Sequence, residues 1–251
     1  MSDQNEGLDS SAINDQLVMI TGFPSTGKSA SLEAIPNQER VLYCNTESGK
    51  RLPFRSKFME QKIVDPTTVY DLFQQCIDNP ELVDGAIVDS LTFLMDLVES
   101  HYVINTNNTQ KGWQNFQQYF KRLMQYYVPI FPGFVIFTAH LKEVYDASTQ
   151  EMRTMVPVKG SLKENGLEAY FSTIVEARTL PIKALEGIES DLLTITDEER
   201  EIGYKHVFQT RKTKDTVGTR IRSPMRMFAP NEVFMDNNTH LLLQRLKAFY
   251  G

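Results

Sequence analysis

The sequence predicts a single α/β domain: a mostly parallel, twisted sheet flanked by helices, with an antiparallel extension towards the C-terminus. Three observations predict this fold. A glycine-rich phosphate-binding motif follows the first apolar run, further apolar runs alternate with segments of helical periodicity, and no internal repeat or Gly/Ser-rich linker divides the chain. The length of 251 residues, 41% of them hydrophobic, suffices for one large domain, which we place at residues 15–251.

The motif reads Gly-Phe-Pro-Ser-Thr-Gly-Lys-Ser from residue 22 to residue 29, the G-x-x-x-x-G-K-S pattern of a phosphate-binding loop. Gly22 and Gly27 allow backbone N–H groups to turn towards a polyphosphate. Lys28 supplies positive charge for the outer phosphates, and the Ser29 hydroxyl can ligate Mg²⁺. A helix starting near Lys28 is expected to direct its positive end at the anion. The predicted nucleotide-binding residues are Gly22, Phe23, Pro24, Ser25, Thr26, Gly27, Lys28, Ser29 and Ala30.

Strands and helices are predicted in alternation along the chain. The predicted strands cover residues 17–20, 41–45, 86–88, 134–137, 172–177 and 206–210. Helical periodicity is carried by Val69, Leu72, Phe73 and Cys76, by Leu91, Leu94, Val98 and Tyr102, by Trp113, Phe116, Phe120, Leu123 and Tyr127, and by Leu242, Leu246 and Phe249. The aromatic stripe from Trp113 to Tyr127 is most simply interpreted as core packing, with a base-stacking platform as the alternative.

The connecting segments also have predicted forms. Residues 50–62 are a modestly basic connection, and residues 105–112 are a polar loop. A hairpin is predicted within residues 144–158, turning at residues 146–149. Residues 181–203 form an acid-rich insertion with a short helix, because Thr196 and Glu199 have capping-box spacing.

Composition limits the function. Residues 1–14 are polar and are predicted to form a flexible tail, with no secretory pattern, and no apolar run approaches the roughly 18 residues of a membrane span. Cys44 and Cys76 are predicted to be separate buried thiols, which fits a reducing cytoplasm. The net charge of −6 means that any contact with nucleic acid must use a local basic patch.

Polar residues end three of the predicted strands. Glu47 follows the second strand, Asp89-Ser90 the third and His140 the fourth. In open α/β sheets the carboxyl ends of the strands hold the ligand, so these side chains are expected to meet at the phosphate-binding loop. An acid at the end of an apolar strand, as Asp89 is, is typical of the second metal-site motif of enzymes that have a phosphate-binding loop.

This order of motifs resembles the RecA-like P-loop ATPases, and within them the short phage-type RecA-core proteins implicated in single-strand annealing. The resemblance covers roughly residues 15–235. It implies that Lys28 and Ser29 hold ATP phosphates and Mg²⁺, that Asp89 holds Mg²⁺ through water, and that Glu47 orients or deprotonates the attacking water. His140 stands where RecA carries a γ-phosphate-sensing glutamine; a core histidine bonded to backbone is the alternative for it.

Late in the chain, Lys212 and Lys214 lie two residues apart, which on an extended strand would point them to the same side. The resemblance implies that such a pair reaches the γ-phosphate held by a neighbouring subunit, in a homo-oligomer with shared ATP sites. The alternative is a solvated basic edge of the sheet.

The resemblance also implies a single-stranded DNA partner. The loops expected to face DNA are residues 105–112 and 142–153, of which the second offers Lys142, Tyr145 and Arg153. Arg220 and Arg222 belong to a positive segment, residues 205–226, in which Asp215 is the single acid.

Three functions therefore compete. The first is a DNA-dependent ATPase that assists annealing or recombination; the second is a helicase-like motor or helicase loader. The third is a small P-loop nucleotide kinase, which Glu47 and the late lysine pair disfavour. No guanine-reading Asn-Lys-x-Asp run is present, so ATP is favoured over GTP.

Overall fold

The fold is described by a computed structural model, which covers residues 12–147, 150–160 and 167–251. It is built on an eight-stranded sheet in the order β10-β9-β8-β1-β5-β4-β2-β3. The strands are β1 (Leu17–Gly22), β2 (Val41–Asn45), β3 (Met59–Lys62), β4 (Gly85–Asp89), β5 (Phe134–His140), β8 (Thr173–Pro181), β9 (Tyr204–Gln209) and β10 (Phe234–Asp236).

The sheet is parallel from β3 to β8, and β9 and β10 extend it in antiparallel fashion. The predicted mixed α/β fold is therefore confirmed. Strand β5 lies between β1 and β4, so the phosphate-binding loop after β1 and Asp89 at the end of β4 are separated by the width of one strand. The carboxyl ends of β1, β2, β4 and β5 consequently share one edge of the sheet.

Two apolar layers cover the sheet, because its central strands are buried on both faces. On one face, Phe73, Leu94 and Phe116 pack against sheet residues such as Phe137; on the other, Leu32 and Leu242 pack against Ile20. The helices are α1 (Thr68–Asp78), α2 (Leu91–Glu99), α3 (Thr109–Arg122), α4 (Asp197–Ile202) and α5 (Thr239–Tyr250). None of the helices among the described residues has the length and apolar character needed to cross a membrane.

The aromatic stripe of α3 is core packing, as the simpler interpretation predicted. Phe116 and Phe120 are fully buried, and Trp113 packs at the edge of the same cluster. Cys44 and Cys76 are buried free thiols, as predicted. The capping box of Thr196 and Glu199 is present at the start of α4.

The predicted hairpin is also present. Strands β6 (Lys142–Asp146) and β7 (Glu151–Met155) pair in antiparallel fashion. The first of them, β6, begins two residues after β5 ends at His140. Residues 148 and 149 of the predicted turn lie outside the described residues. Of the predicted N-terminal tail, residues 1–11 also lie outside them, whereas Asn14 donates to the carbonyls of Val128 and Gly133.

Three local predictions are wrong. The helix predicted after the phosphate-binding loop is a short 3₁₀ helix, Ala30–Ala34, because Pro36 disfavours helical backbone at Ile35, which is extended. The predicted polar loop 105–112 ends early, because α3 begins at Thr109. The Asn108 side chain caps this helix by accepting a hydrogen bond from the Lys111 N–H.

The third correction concerns Lys212 and Lys214, which do not lie on an extended strand. Strand β9 ends at Gln209, and Lys214 begins a 3₁₀ turn, Lys214–Thr216. The Thr213 and Thr216 side chains cap this turn reciprocally, and such local bonds compete with strand pairing. The two lysines therefore do not share one side of a strand.

Candidate functional site

A cavity of about 370 Å³ opens at the carboxyl edge of the sheet, beside the phosphate-binding loop. Five of the predicted site residues, Lys28, Ser29, Glu47, Asp89 and His140, meet there, although they lie at or after the ends of four separate strands. The cavity is lined by Pro24, Ser25, Gly27, Lys28, Ser29, Ala30, Tyr43, Glu47, Lys50, Arg51, Leu52, Pro53, Asp89, His140 and His206.

The phosphate-binding loop has the backbone that its glycines predict. Gly27 has φ of +91°, and a Cβ there would lie 2.5 Å from Asn237 Nδ2. Ser25 also has positive φ, at +64°. Gly22, Phe23 and Thr26 do not line the cavity; they brace the loop, because Thr26 Oγ1 donates to the Phe23 carbonyl.

Lys28 lies at the floor of this loop and is 6% exposed. Its ammonium donates to the carbonyls of Gly22 and Phe23, at 2.9 and 2.8 Å. Burial lowers the pKa of Lys28 to about 8, against the opposing pull of Asp89 and Glu47. The ammonium therefore remains charged at neutral pH and lies where phosphates held by the loop would need a counter-charge.

Asp89 is buried and accepts hydrogen bonds from three hydroxyl groups. Ser29 Oγ and the Tyr43 hydroxyl donate to Oδ2, at 2.9 and 2.8 Å, and Thr138 Oγ1 donates to Oδ1. Burial and the neighbouring Asp89 raise the pKa of Tyr43, so its hydroxyl stays a donor.

The pair formed by Ser29 and Asp89 fits Mg²⁺. A hydroxyl and a carboxylate side by side are hard oxygen ligands, and Mg²⁺ is commonly bound through one or two carboxylates together with substrate phosphates. Within the described residues no group of three or more His, Cys, Asp and Glu could hold a metal ion without such phosphates.

Tyr43→Phe tests this arrangement, because it removes one donor to Asp89 and keeps the ring. We expect a loss of about 1 kcal/mol in the free energy of unfolding and a higher Mg²⁺ concentration for half-maximal ATP turnover. Thermal unfolding and Mg²⁺ titrations, with Tyr250→Phe as a surface control, measure both. An unchanged Mg²⁺ requirement would mean that Tyr43 does not orient Asp89.

Glu47 is held by two side chains, those of His140 and Lys50. Its Oε1 lies 3.0 Å from His140 Nε2, and its Oε2 accepts from Lys50 Nζ at 2.9 Å. The His140 backbone N–H donates to Thr92 Oγ1, and its ring makes an edge contact with Phe93. The His140 side chain therefore faces the cavity and binds a carboxylate, rather than bonding to backbone.

These contacts set the protonation of Glu47. The hydrogen bond from His140, with smaller contributions from Lys50, lowers the pKa of Glu47 from 4.5 to about 2, although burial acts in the opposite direction. Because the folded pKa is below the unfolded value, the charged carboxylate stabilises the fold fully above about pH 4.5. That contribution is lost as the pH falls towards 2.

The nucleotide cavity is also shaped by residues from the last third of the chain, which the sequence pattern did not connect to it. Asn237 Nδ2 donates to the Gly27 carbonyl at 2.9 Å, and Ser31 and Thr239 share a hydrogen bond at the start of α5. His206 of β9 lines the cavity and lies against Gly27. These residues are about 180 to 210 positions from the loop, so no local pattern could have indicated them.

The predicted trans-acting and DNA-contacting cations lie elsewhere. Lys212 and Lys214 are exposed and do not line this cavity, and Lys212 is close enough to Arg220 and Arg222 to be affected by their charge. On the hairpin, Lys142 and Tyr145 are exposed, whereas Arg153 pairs with Asp146 at 2.9 Å.

Comparison with known proteins gives the family. A family model described as an AAA domain matches residues 14–220, which include the phosphate-binding loop, Glu47, Asp89 and His140. A search of curated proteins finds no match. The family model covers most of the chain, and the loop geometry agrees with it. The chain therefore belongs to this AAA domain family and is an ATPase of the P-loop type.

Proposed function

We propose that the protein hydrolyses ATP with Mg²⁺ in this cavity, and that it is a RecA-like protein that binds single-stranded DNA and assists annealing or recombination. The observation that carries the proposal is the meeting of Lys28, Glu47, Asp89 and His140 in one cavity with the phosphate-binding loop. These are the groups that hydrolysis of a bound triphosphate requires: a phosphate cradle, a counter-charge and a water-orienting carboxylate.

In this proposal, water attacks the γ-phosphorus while the bond to the β–γ bridging oxygen breaks, giving ADP and phosphate. Glu47 orients that water and accepts its proton. The loop N–H groups and Lys28 hold the phosphates and stabilise the charge that develops. Bound Mg²⁺ would neutralise phosphate charge, and Ser29 with Asp89 are the residues that would hold it.

The partners of Glu47 explain how hydrolysis is restrained before ATP binds. A carboxylate with a pKa of about 2 is a weak base, and both its oxygens are engaged. A γ-phosphate carries more negative charge than one carboxylate and competes for Lys50 and His140. Nucleotide binding then frees Glu47 to accept a hydrogen bond from water.

The link between this cavity and DNA is strand β5. It ends at His140, whose ring contacts Glu47, and the next residue, Leu141, donates its N–H to the Gly22 carbonyl at 3.2 Å. The hairpin of β6 and β7 follows directly and exposes Lys142 and Tyr145. A cation and an aromatic ring suit single-stranded DNA. DNA bound there would act on the γ-phosphate end of the cavity through His140.

The exposed Lys212 and Lys214 support a further part of the proposal, a homo-oligomer in which they reach the ATP of a neighbouring copy. They lie outside the cavity of their own chain and are not needed to complete it. If one copy supplies a cation to the next, the turnover per protomer depends on assembly.

The test is the ATPase rate per protomer as a function of protein concentration, with and without single-stranded DNA. We expect the rate per protomer to rise with concentration, and DNA to raise it further, with stimulation falling steeply as salt is added. A rate unchanged by DNA at low salt would contradict the DNA proposal and favour a nucleotide kinase. A rate per protomer independent of concentration would contradict shared sites.

The same preparation separates annealing from motor activity. An annealing protein pairs complementary single strands without opening a duplex. ATP-dependent opening of a forked duplex would instead identify a helicase-like motor, with the same ATP site.

A further inference from the structure

A second cavity, of about 540 Å³, lies apart from the nucleotide site. We call it the basic cavity, because cationic side chains line it and none of its described lining residues carries a carboxylate. Those cationic residues are Arg211, Lys212, Arg222 and Arg226. The basic cavity shares no lining residue with the nucleotide cavity.

Among the described residues, cations of the basic cavity bond to backbone carbonyls rather than to acids. Arg211 donates to the Phe228 carbonyl, Arg222 to the Phe171 carbonyl and Lys212 to the Val217 carbonyl. In the part of the chain that the structure describes, none of the four cations is within salt-bridge distance of a carboxylate.

Some other cations of this acidic protein do have such partners. Lys205, at the start of the same positive segment, pairs with both Glu199 and Asp236, and Arg245 pairs with Glu232. The protein as a whole carries a charge of −6, so acids are not scarce. What distinguishes the basic cavity is that four cations line one concavity with no carboxylate among its described lining residues.

Like charges crowded in this way repel one another. Partial burial, together with the charges of Arg220 and Arg222, lowers the pKa of Lys212. An anion bound in the cavity would offset that repulsion, because it would attract several cations at once. Guanidinium groups are suited to phosphate, which they can bind through paired hydrogen bonds.

The chain segment that carries the basic cavity also contacts the hairpin. Thr154 N donates to the Gly218 carbonyl at 3.2 Å, and a Cβ on Gly218 would lie 2.7 Å from the Met152 carbonyl, so the two segments are in close contact. Across β6 and β7, Tyr145 is paired with Met152, and both are more than half exposed. The segment that carries the basic cavity therefore contacts a hairpin with an exposed aromatic ring, and cations together with an aromatic ring suit single-stranded nucleic acid.

We propose that the basic cavity binds backbone phosphates of single-stranded DNA, whose bases lie against the hairpin at Tyr145. This inference rests on the DNA binding proposed above and adds the place where the backbone is held. Lys212 is shared with the proposed contact to a neighbouring copy's ATP, whereas Arg211, Arg222 and Arg226 are assigned to DNA alone.

The test compares two double variants that remove the same charge. Arg222→Gln with Arg226→Gln changes the basic cavity, and Arg55→Gln with Lys57→Gln changes an exposed surface that lines neither cavity. Binding of a fluorescent oligothymidylate is followed by anisotropy over a range of salt concentrations, without nucleotide. Thermal unfolding of each variant verifies that it is folded.

We expect the basic-cavity variant to bind about tenfold or more weakly, and the slope of log K against log salt to be smaller by about 1.4, the value for two lost phosphate contacts. The control should bind nearly as the wild type does. Equal loss in the two variants, while the wild type binds, would overturn the assignment and leave the proposed function standing.

Two further outcomes have separate meanings. If the wild type does not bind the oligonucleotide at low salt, the proposed DNA function fails and the assignment fails with it. If the basic-cavity variant binds DNA normally but loses concentration-dependent ATPase activity without DNA, the cations act on a neighbouring copy's nucleotide, and the DNA assignment is overturned.

Discussion

Replacing Lys28 with alanine is expected to reduce ATP turnover by at least about 100-fold while the fold is retained. The ammonium lies at the floor of the phosphate-binding loop, where its acceptors are the carbonyls of Gly22 and Phe23. Without it, a bound triphosphate has no point charge beneath its outer phosphates, and both binding and the stabilisation of the transition state suffer.

Phosphate release measures this effect, and circular dichroism verifies the fold. Lys28→Met is a useful second variant, because it keeps most of the buried stem and removes only the charge. Lys57→Ala, on an exposed surface outside the cavity, is the control and should turn over ATP normally. Normal turnover in folded Lys28→Ala and Lys28→Met proteins would show that this cavity is not the ATP site.

Replacing Glu47 with glutamine is expected to preserve nucleotide binding and to reduce hydrolysis by about 100- to 10,000-fold. Glutamine has nearly the same size and its amide oxygen can still accept a hydrogen bond from His140. It cannot accept the proton of the attacking water. The variant therefore separates binding from chemistry, with turnover measured by phosphate release and binding by a fluorescent ATP analogue.

Glu60→Gln is the matched control for this variant. Glu60 lies on β3, close to Glu47 in the chain, and accepts from Asn45 Nδ2 without lining the cavity. Its removal should leave turnover near the wild-type value. If Glu47→Gln loses nucleotide binding together with hydrolysis, then Glu47 supports the loop and is not the residue that orients water.

The parts of the site that sequence predicted are those with local signals. The phosphate-binding loop is a contiguous pattern, and Glu47, Asp89 and His140 each follow an apolar strand that can be recognised from its own residues. Parallel strands align their carboxyl ends, so these residues had to lie near one another. The direct contact between Glu47 and His140 was not predicted, because it depends on side-chain positions 93 residues apart.

Four features were not predicted from the sequence, and each was missed for a physical reason. Strand β3 consists of Met59–Lys62, which are all exposed, so an edge strand there has no apolar pattern to detect. Strand β10 has three residues, too few for a period. The brace between Asn237 and Gly27 depends on tertiary packing alone. The basic cavity was visible only as a positive segment, because its shape comes from the path of residues 210–228.

The role of Glu47 is measured by the release of phosphate from Mg·ATP by the wild type and the Glu47→Gln protein, with ATP binding determined on the same samples. We expect both proteins to bind ATP and only the wild type to release phosphate at an appreciable rate. Equal rates in two proteins that bind ATP equally well would contradict the claim that the carboxylate beside His140 activates the water.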